Sequence, residues 1–418
     1  MGTDRIALDR FLHLRGMRDR IGPSWFVEAN RTLSGAVGRL WARARAEDPA
    51  IAPYTSLCDD VWDLLDPTCP AAATLAREIP ARALLLIVAG SPCQGLTVGG
   101  PTRGRAGVAS LASSPLVAVL ATWHILHALR PDLEIHLLIE NAGSMTEESR
   151  SWIVEAMNIS PLQAPTTDAG LWTGFTRRRT FFSTLPPTSA LNIPTRPIPW
   201  DDGWGRRHRA PLPPMQRSRG PGPRASTYQY AAHHLLYRLD EAWLRVPASC
   251  LHIEVGRLLP PALQAAWRLL ILNPQGWEAE RRMEPVAAWL ATHGEALGAR
   301  GPNTAERGRA AGLFDLCQGL RAQGLSNVEL FDAQGNAFDV DACRSRIQEP
   351  ILAWLQGAPT PSARPLAPAA VGLHYRRLVD RVSVHDDLRP HIAVIPGPGW
   401  LWQEFCSSFA APEAAPLR

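Results

Sequence analysis

The sequence predicts an α/β fold, a mainly parallel sheet layered with helices, and three features predict it. Residues 83–89 form an unbroken apolar run that stops at Ser91-Pro92-Cys93-Gln94. A second, largely apolar run at 135–139 stops at Glu140-Asn141, and between the two lies a helical stretch opened by Ser114-Pro115. Short apolar runs are how strands covered on both faces read, and proline is tolerated in the first turn of a helix. Strand, helix and strand make a right-handed crossover unit whose two carboxyl ends point the same way. Cys93 and Glu140 are therefore expected on one rim of one sheet, where open parallel sheets bind ligands.

The other elements follow in order. Residues 1–24 are short and charged, and Trp25-Phe26-Val27-Glu28 reads as a strand with an acidic residue at its end. A helix is expected over 32–47, with Val37, Leu40 and Trp41 on one face, then a turn and Cys58-Asp59-Asp60-Val61. Leu116, Leu120 and Trp123 share a face of the helix expected over 116–130, and 152–157 is helical. Residues 176–183 read as a strand with Arg177-Arg178-Arg179 at its entrance. From 186 to about 222 proline, glycine, arginine and tryptophan predict irregular structure. Helices are expected near 260–272 and 285–293 and toward Leu355, with Pro350 as a kink point. The chain divides at 1–185, 186–300, 301–356, a Pro-rich linker at 357–369 and an appendage at 370–418.

Composition narrows the function classes. The 418 residues are long enough for two or more cores, and no apolar run reaches membrane-spanning length. No signal peptide opens the chain, so an intracellular protein is expected. Seven scattered cysteines without a CxxC pair predict free thiols and no metal site. Lysine is absent, which excludes lysine catalysis and makes every basic contact a planar, bidentate guanidinium. Eleven arginines but only two acidic residues lie between Arg177 and Arg238, interleaved with Trp200, Trp204, Tyr228 and Tyr230. Guanidinium groups with stacking aromatics suit a nucleic acid, although a solvated loop has the same composition.

Taken in order, these pieces resemble the DNA (cytosine-5)-methyltransferases, most closely the de novo branch. Pro92-Cys93-Gln94 matches the family's catalytic loop, with Thr97 where serine is usual. Glu140-Asn141-Ala142 matches its Glu-Asn-Val motif, and Arg177-Arg178-Arg179 its Arg-x-Arg motif, with Phe175 where glutamine is frequent. Glu28 and Asp60 look like the acidic residues after two cofactor-binding strands. Thr304-Ala305-Glu306-Arg307 and Gly335-Asn336-Ala337 resemble the two late motifs that return the chain to the catalytic domain. Each motif alone has a plain alternative: a structural cysteine, a cap, a charge run, a turn.

The resemblance implies a Rossmann-like class I methyltransferase sheet with helices on both faces and a target-recognition insert at 186–300. It implies S-adenosylmethionine as cofactor, held by Glu28, Asp60 and Asn336. DNA would be the partner, contacted by Pro92, Gln94, Thr97 and Asn141 and gripped through Arg206, Arg207, Arg209, Arg217 and Arg219. Cys93 would be the nucleophile and Glu140 the acid, with Arg177 and Arg179 on the loop and the base. A homo-oligomer stays open, no membrane is expected, and the compartment would be the nucleus in a eukaryote. The family's first strand ends in a glycine-rich turn, which residues 1–24 do not carry. Either the chain starts after that turn or another segment supplies it. Two alternatives accompany the main reading: a catalytically impaired DNA-binding homologue, and an unrelated cysteine hydrolase using Cys93 with a histidine.

Overall fold

The computed structural model of the protein describes residues 3–66, 68–93, 95–96, 107–110, 113–169, 178–186, 256–257, 259–272, 289, 293 and 304–357. It is a mixed α/β structure whose chain divides into two compact units, the larger taking in Gly2–Thr167, Arg178–Leu191 and the chain from Cys343, and the smaller Asp168–Arg177 and Asn192–Ala342. No helix among the described residues is long and apolar enough to cross a membrane.

The larger unit begins with α1 (Thr3–His13), where only a short charged segment was expected. Ala7 and Phe11, one helical turn apart, and Leu12 are buried, and this is the face that folds it. Next come β1 (Ser24–Val27), α2 (Arg31–Glu47) and β2 (Tyr54–Cys58), with β1 and β2 parallel. Asn30 caps α2 by accepting from Leu33 N. After α3 (Pro70–Arg77) the chain forms β3 (Leu84–Gly90), α4 (Ser114–Leu129) and β4 (Glu134–Ala142), the expected crossover unit, with β3 and β4 parallel. No charged residue stands between Ser114 and Leu129, and α4 is accordingly buried on most of its circumference. Two of its imidazoles bond to neighbouring elements: His124 Nε2 donates to Ala156 O at 3.0 Å and His127 Nε2 to Ile135 O at 3.1 Å.

Then follow α5 (Glu147–Ala156), β5 (Thr166–Asp168) and β6 (Arg178–Ser183). The second sheet has the order β3-β4-β6-β5, and β6 runs antiparallel to β4. Its core packs Leu116, Leu120 and Trp123 of α4 and Trp152 and Ile153 of α5 against Ile135, Leu137 and Ile139.

The end of β4 differs from expectation. The apolar pattern ends at Ile139, but β4 continues through Glu140 and Asn141 to Ala142. The reason is the antiparallel partner: β6 pairs with β4 from Leu138↔Ser183 to Ala142↔Arg179, two residues past the end of the β3 ladder at Gly90↔Glu140.

In the smaller unit, α6 (Pro261–Leu272) is followed by α7 (Thr304–Ala310), α8 (Phe314–Ala322) and α9 (Asn327–Asn336). A capping box between Ser326 and Glu329 starts α9. Gly335-Asn336 closes that helix rather than forming an isolated turn. Gln334 Nε2 donates to Thr304 O at 2.6 Å, so the segments beginning at Thr304 and ending at Ala337 are neighbours in one bundle. The last helix, α10 (Val340–Leu355), continues through Pro350. On its larger-unit part, Arg346 stacks over the Phe181 ring at 5.6 Å and donates to Thr167 Oγ1.

Candidate active site

The carboxyl ends of β3 and β4 position the candidate groups. Parallel pairing places Gly90 beside Glu140, so the chain leaves β3 at the level of that carboxyl and reaches Cys93 three residues later. Glu140 is buried, and Arg179 Nε on β6 lies 2.7 Å from its Oε1. This is a charge contact off the line of a hydrogen bond, and Oε1 has no hydrogen-bond partner. Arg179 donates through Nη1 to Arg178 O at 2.9 Å, which turns its guanidinium along the strand.

Asn141, 1% exposed, faces the opposite way from Glu140 along the strand. Its Nδ2 donates to Ser91 O at 3.3 Å and to Ser91 Oγ at 3.0 Å, and its Oδ1 accepts from Ala142 N at 2.8 Å. The amide therefore ties the segment carrying Cys93 to β4. Cys93 is half-buried and Pro92 exposed. A turn follows, closed by Leu96 N donating to Cys93 O at 3.0 Å. Leu96 is fully buried, and its carbonyl accepts from Thr146 N, the residue that caps α5.

Gly95 is required by space: a Cβ there would lie 1.7 Å from Ser110 Oγ. Ser110 in turn contacts Ser113 at 2.9 Å, and Ser113 donates to Gly107 O at 3.1 Å. The Cys93 turn is thus seated on a small serine cluster at the start of α4. Ser91, Gly95, Ser110 and Thr146 were not singled out from the sequence. Ser91 is the one with a usable signal, a hydroxyl immediately before Pro92 where the strand ends.

The residues expected at the cofactor divide between places. Glu28 follows β1, half-buried, and its Oε1 accepts from Asn30 N at 3.1 Å. Asp60 follows β2, exposed, and caps the 3-10 turn Val61–Leu65 by accepting from Trp62 N at 3.0 Å. Since β1 and β2 are parallel, both carboxylates stand at the same end of that sheet. Asn336 is the last residue of α9, in the smaller unit. Gln94, Thr97, Arg177, Arg206, Arg207, Arg209, Arg217 and Arg219 lie outside the described residues, as does the basic segment expected to meet DNA. Cys58, at the end of β2, is a thiol of another character: burial first, then the nearby Asp63 carboxylate, pushes its pKa up to about 12, and it donates to Asp60 O at 3.1 Å.

In comparisons with known proteins, no family model and no curated protein matches this chain. A functional reading therefore stands on the chemistry of the site itself.

Proposed function

We propose that the protein is a DNA cytosine-5 methyltransferase, with its two sheets belonging to a Rossmann-like class I methyltransferase fold. The observation that carries the reading is the tie from Asn141 to Ser91 beside the Glu140–Arg179 pair. It joins a cysteine-bearing turn, a buried carboxyl and a guanidinium at one strand end. Such a site can act on both sides of a pyrimidine ring.

Cytosine C5 is a weak nucleophile until electrons enter the ring. The Cys93 thiolate adds to C6, forming a carbon–sulfur bond, while Glu140 delivers a proton to N3. Arg179 holds the carboxyl in place, and Asn141 fixes the turn from which the sulfur attacks. When bound, S-adenosylmethionine supplies the electrophilic methyl group that C5 takes up. Loss of the C5 proton to a base, with expulsion of the Cys93 thiolate and return of the N3 proton to Glu140, restores the ring and the enzyme. The base must leave the duplex for this chemistry, and the arginine-rich segment from Arg177 to Arg238 would hold the strand from which it rotates.

Glu28 and Asp60 are suited to the cofactor as acceptors for ribose hydroxyls and an adenine amine, and both stand where parallel strands end. The alternative, a DNA-binding homologue without transfer activity, draws on residues 3–24, which form α1, a 3-10 turn and the start of β1, with no glycine-rich turn among these described residues. Transfer of labelled methyl groups to a cytosine-containing duplex separates the two. Wild type is expected to transfer and Cys93→Ser to be inactive while retaining the wild-type circular dichroism. Methylation by Cys93→Ser at the wild-type rate would overturn the proposal.

A further inference from the structure

The two faces of the second sheet carry different chemistry. Ile139 and Phe182, directly paired, belong to the core under α4, so the next pair, Glu140 and Phe181, faces the other side, as does Arg179 two residues before Phe181. β5 extends that second face. Phe181 N donates to Pro165 O at 3.1 Å, and the hydroxyls of Thr166 and Thr180 lie 2.8 Å apart on the α4 side, which turns Thr167 to the side of Phe181. Here α10 brings in Arg346, its guanidinium carbon 5.6 Å from the centre of the Phe181 ring and its Nη2 donating to Thr167 Oγ1.

Arg346 is a cation without an anion. Arg179 lies 2.7 Å from Glu140, whereas the partners of Arg346 among the described residues are one hydroxyl and one ring, both uncharged. Its Nε is buried and has no hydrogen-bond partner among them. Burial lowers its pKa, and no neighbouring charge opposes the shift. An unmatched buried charge and an orphan donor both oppose folding. A guanidinium retained against that penalty marks a place where the counter-charge arrives with a ligand.

Geometry narrows the ligand's class. Stacking on Phe181 uses the flat face of the guanidinium and leaves its N–H groups in the plane, the fork that fits two oxygens of one oxyanion. Thr167 Oγ1 accepts from Arg346, so its own proton is left to donate to such an oxygen. Arg346 is half-buried rather than sealed, and Arg178 stands exposed where β6 begins. Since Phe181 lies opposite Glu140, Arg346 sits over the strand next to that carboxyl, about 4.8 Å sideways in the sheet, and one nucleotide can span both.

We propose that Arg346 and Thr167, backed by the Phe181 ring, form a subsite for a phosphate group. That the phosphate belongs to the strand carrying the target cytosine rests on the function proposed above; a free phosphate compound would use the same chemistry.

Thermal unfolding of the full chain in inorganic phosphate, against sodium chloride at equal ionic strength, tests the subsite. Phosphate is expected to raise the Tm of wild type, and Arg346→Met to need roughly tenfold more phosphate for the same rise. Without phosphate, Arg346→Met is expected to unfold at or above the wild-type temperature, because methionine still packs on Phe181 and an unpaired buried cation is gone. A merely structural arginine would give a lower Tm and an unchanged phosphate response; that result, or no response from wild type, would overturn the proposal. If Arg346→Met does not fold, Thr167→Val takes its place. It keeps the guanidinium and loses the hydroxyl, so roughly threefold more phosphate is expected, and an unchanged response there would overturn the proposal as well.

Binding of a cytosine-containing duplex, read by fluorescence anisotropy over a range of salt, assigns the source. If the phosphate is the strand's, Arg346→Met lowers the slope of log affinity against log salt by about 0.9, the share of one phosphate. An unchanged slope with the phosphate response lost keeps the subsite and assigns it to a free phosphate compound. Failure of wild type to bind DNA or transfer methyl groups, with a phosphate response that still depends on Arg346, would sink the methyltransferase reading and leave the subsite in place. Normal methyl transfer without any phosphate response would do the reverse.

Discussion

Replacing Arg179 by methionine isolates the electrostatics of the candidate site. The Glu140 side chain is 8% exposed and its Oε1 lies 2.7 Å from Arg179 Nε, so the substitution leaves a buried carboxyl without its charge partner. Removing one member of a buried pair costs about 3–5 kcal/mol. Arg179 itself is 24% exposed and partly screened, which reduces the expected cost to roughly 2 kcal/mol. In thermal unfolding this corresponds to a fall in Tm of several degrees. The decisive form is a double-mutant cycle with Glu140→Gln, a neutral isostere that no longer needs the cation. Arg179→Met is expected to cost much less in that background, giving a coupling of at least ~1 kcal/mol by urea denaturation. Additive effects within about 0.5 kcal/mol would refute the reasoning and make the contact a fortuitous approach of two side chains.

Further predictions concern the turn, the buried imidazoles and the second thiol. Asn141→Ala removes both bonds to Ser91 and should destabilise by about 1–2 kcal/mol, while lowering methyl transfer roughly a hundredfold through misplacement of Cys93; unchanged transfer would detach Asn141 from the site. Burial lowers the pKa of His136, outweighing its bond to Glu134, and burial also lowers that of His127. The unfolded chain thus takes up protons first, so stability is complete above about pH 6.5 and declines as pH falls below it; chemical denaturation of His136→Gln should show a shallower decline. Cys58, with its pKa near 12, should alkylate far more slowly at neutral pH than an unstructured cysteine, and mass spectrometry after brief iodoacetamide exposure reads this directly.

The crossover unit was legible because residues 83–89 and 135–139 are apolar without interruption, and α4 because Ser-Pro opens a stretch free of charge. Long-range pairing was not. Nothing near Glu140 announces that Phe181 lies opposite it in an antiparallel strand, and so β4 was read too short. The same holds for Asn141 and Ser91, fifty positions apart and joined only by the fold. In α1 the apolar face of Ala7, Phe11 and Leu12 was present but masked by charges that the fold neutralises, with Arg18 reaching Asp9 at 2.8 Å. Short α3 and β5 offer too few residues for a period to show. Of the site, the chemistry-bearing residues could be named from the sequence, whereas the supports beneath them could not: Gly95 on Ser110, and Leu96 on Thr146.

The two ladders that grip β4, one parallel and one antiparallel, have a consequence for how this gene can change. Consecutive residues of a strand face opposite sides, so deleting one codon within 134–139 would exchange the orientations of Glu140 and Asn141, turning the carboxyl away from Arg179 and the amide away from Ser91. Insertions and deletions should therefore be purged from this stretch far more strictly than substitutions at its apolar positions, where one hydrophobic side chain can often replace another.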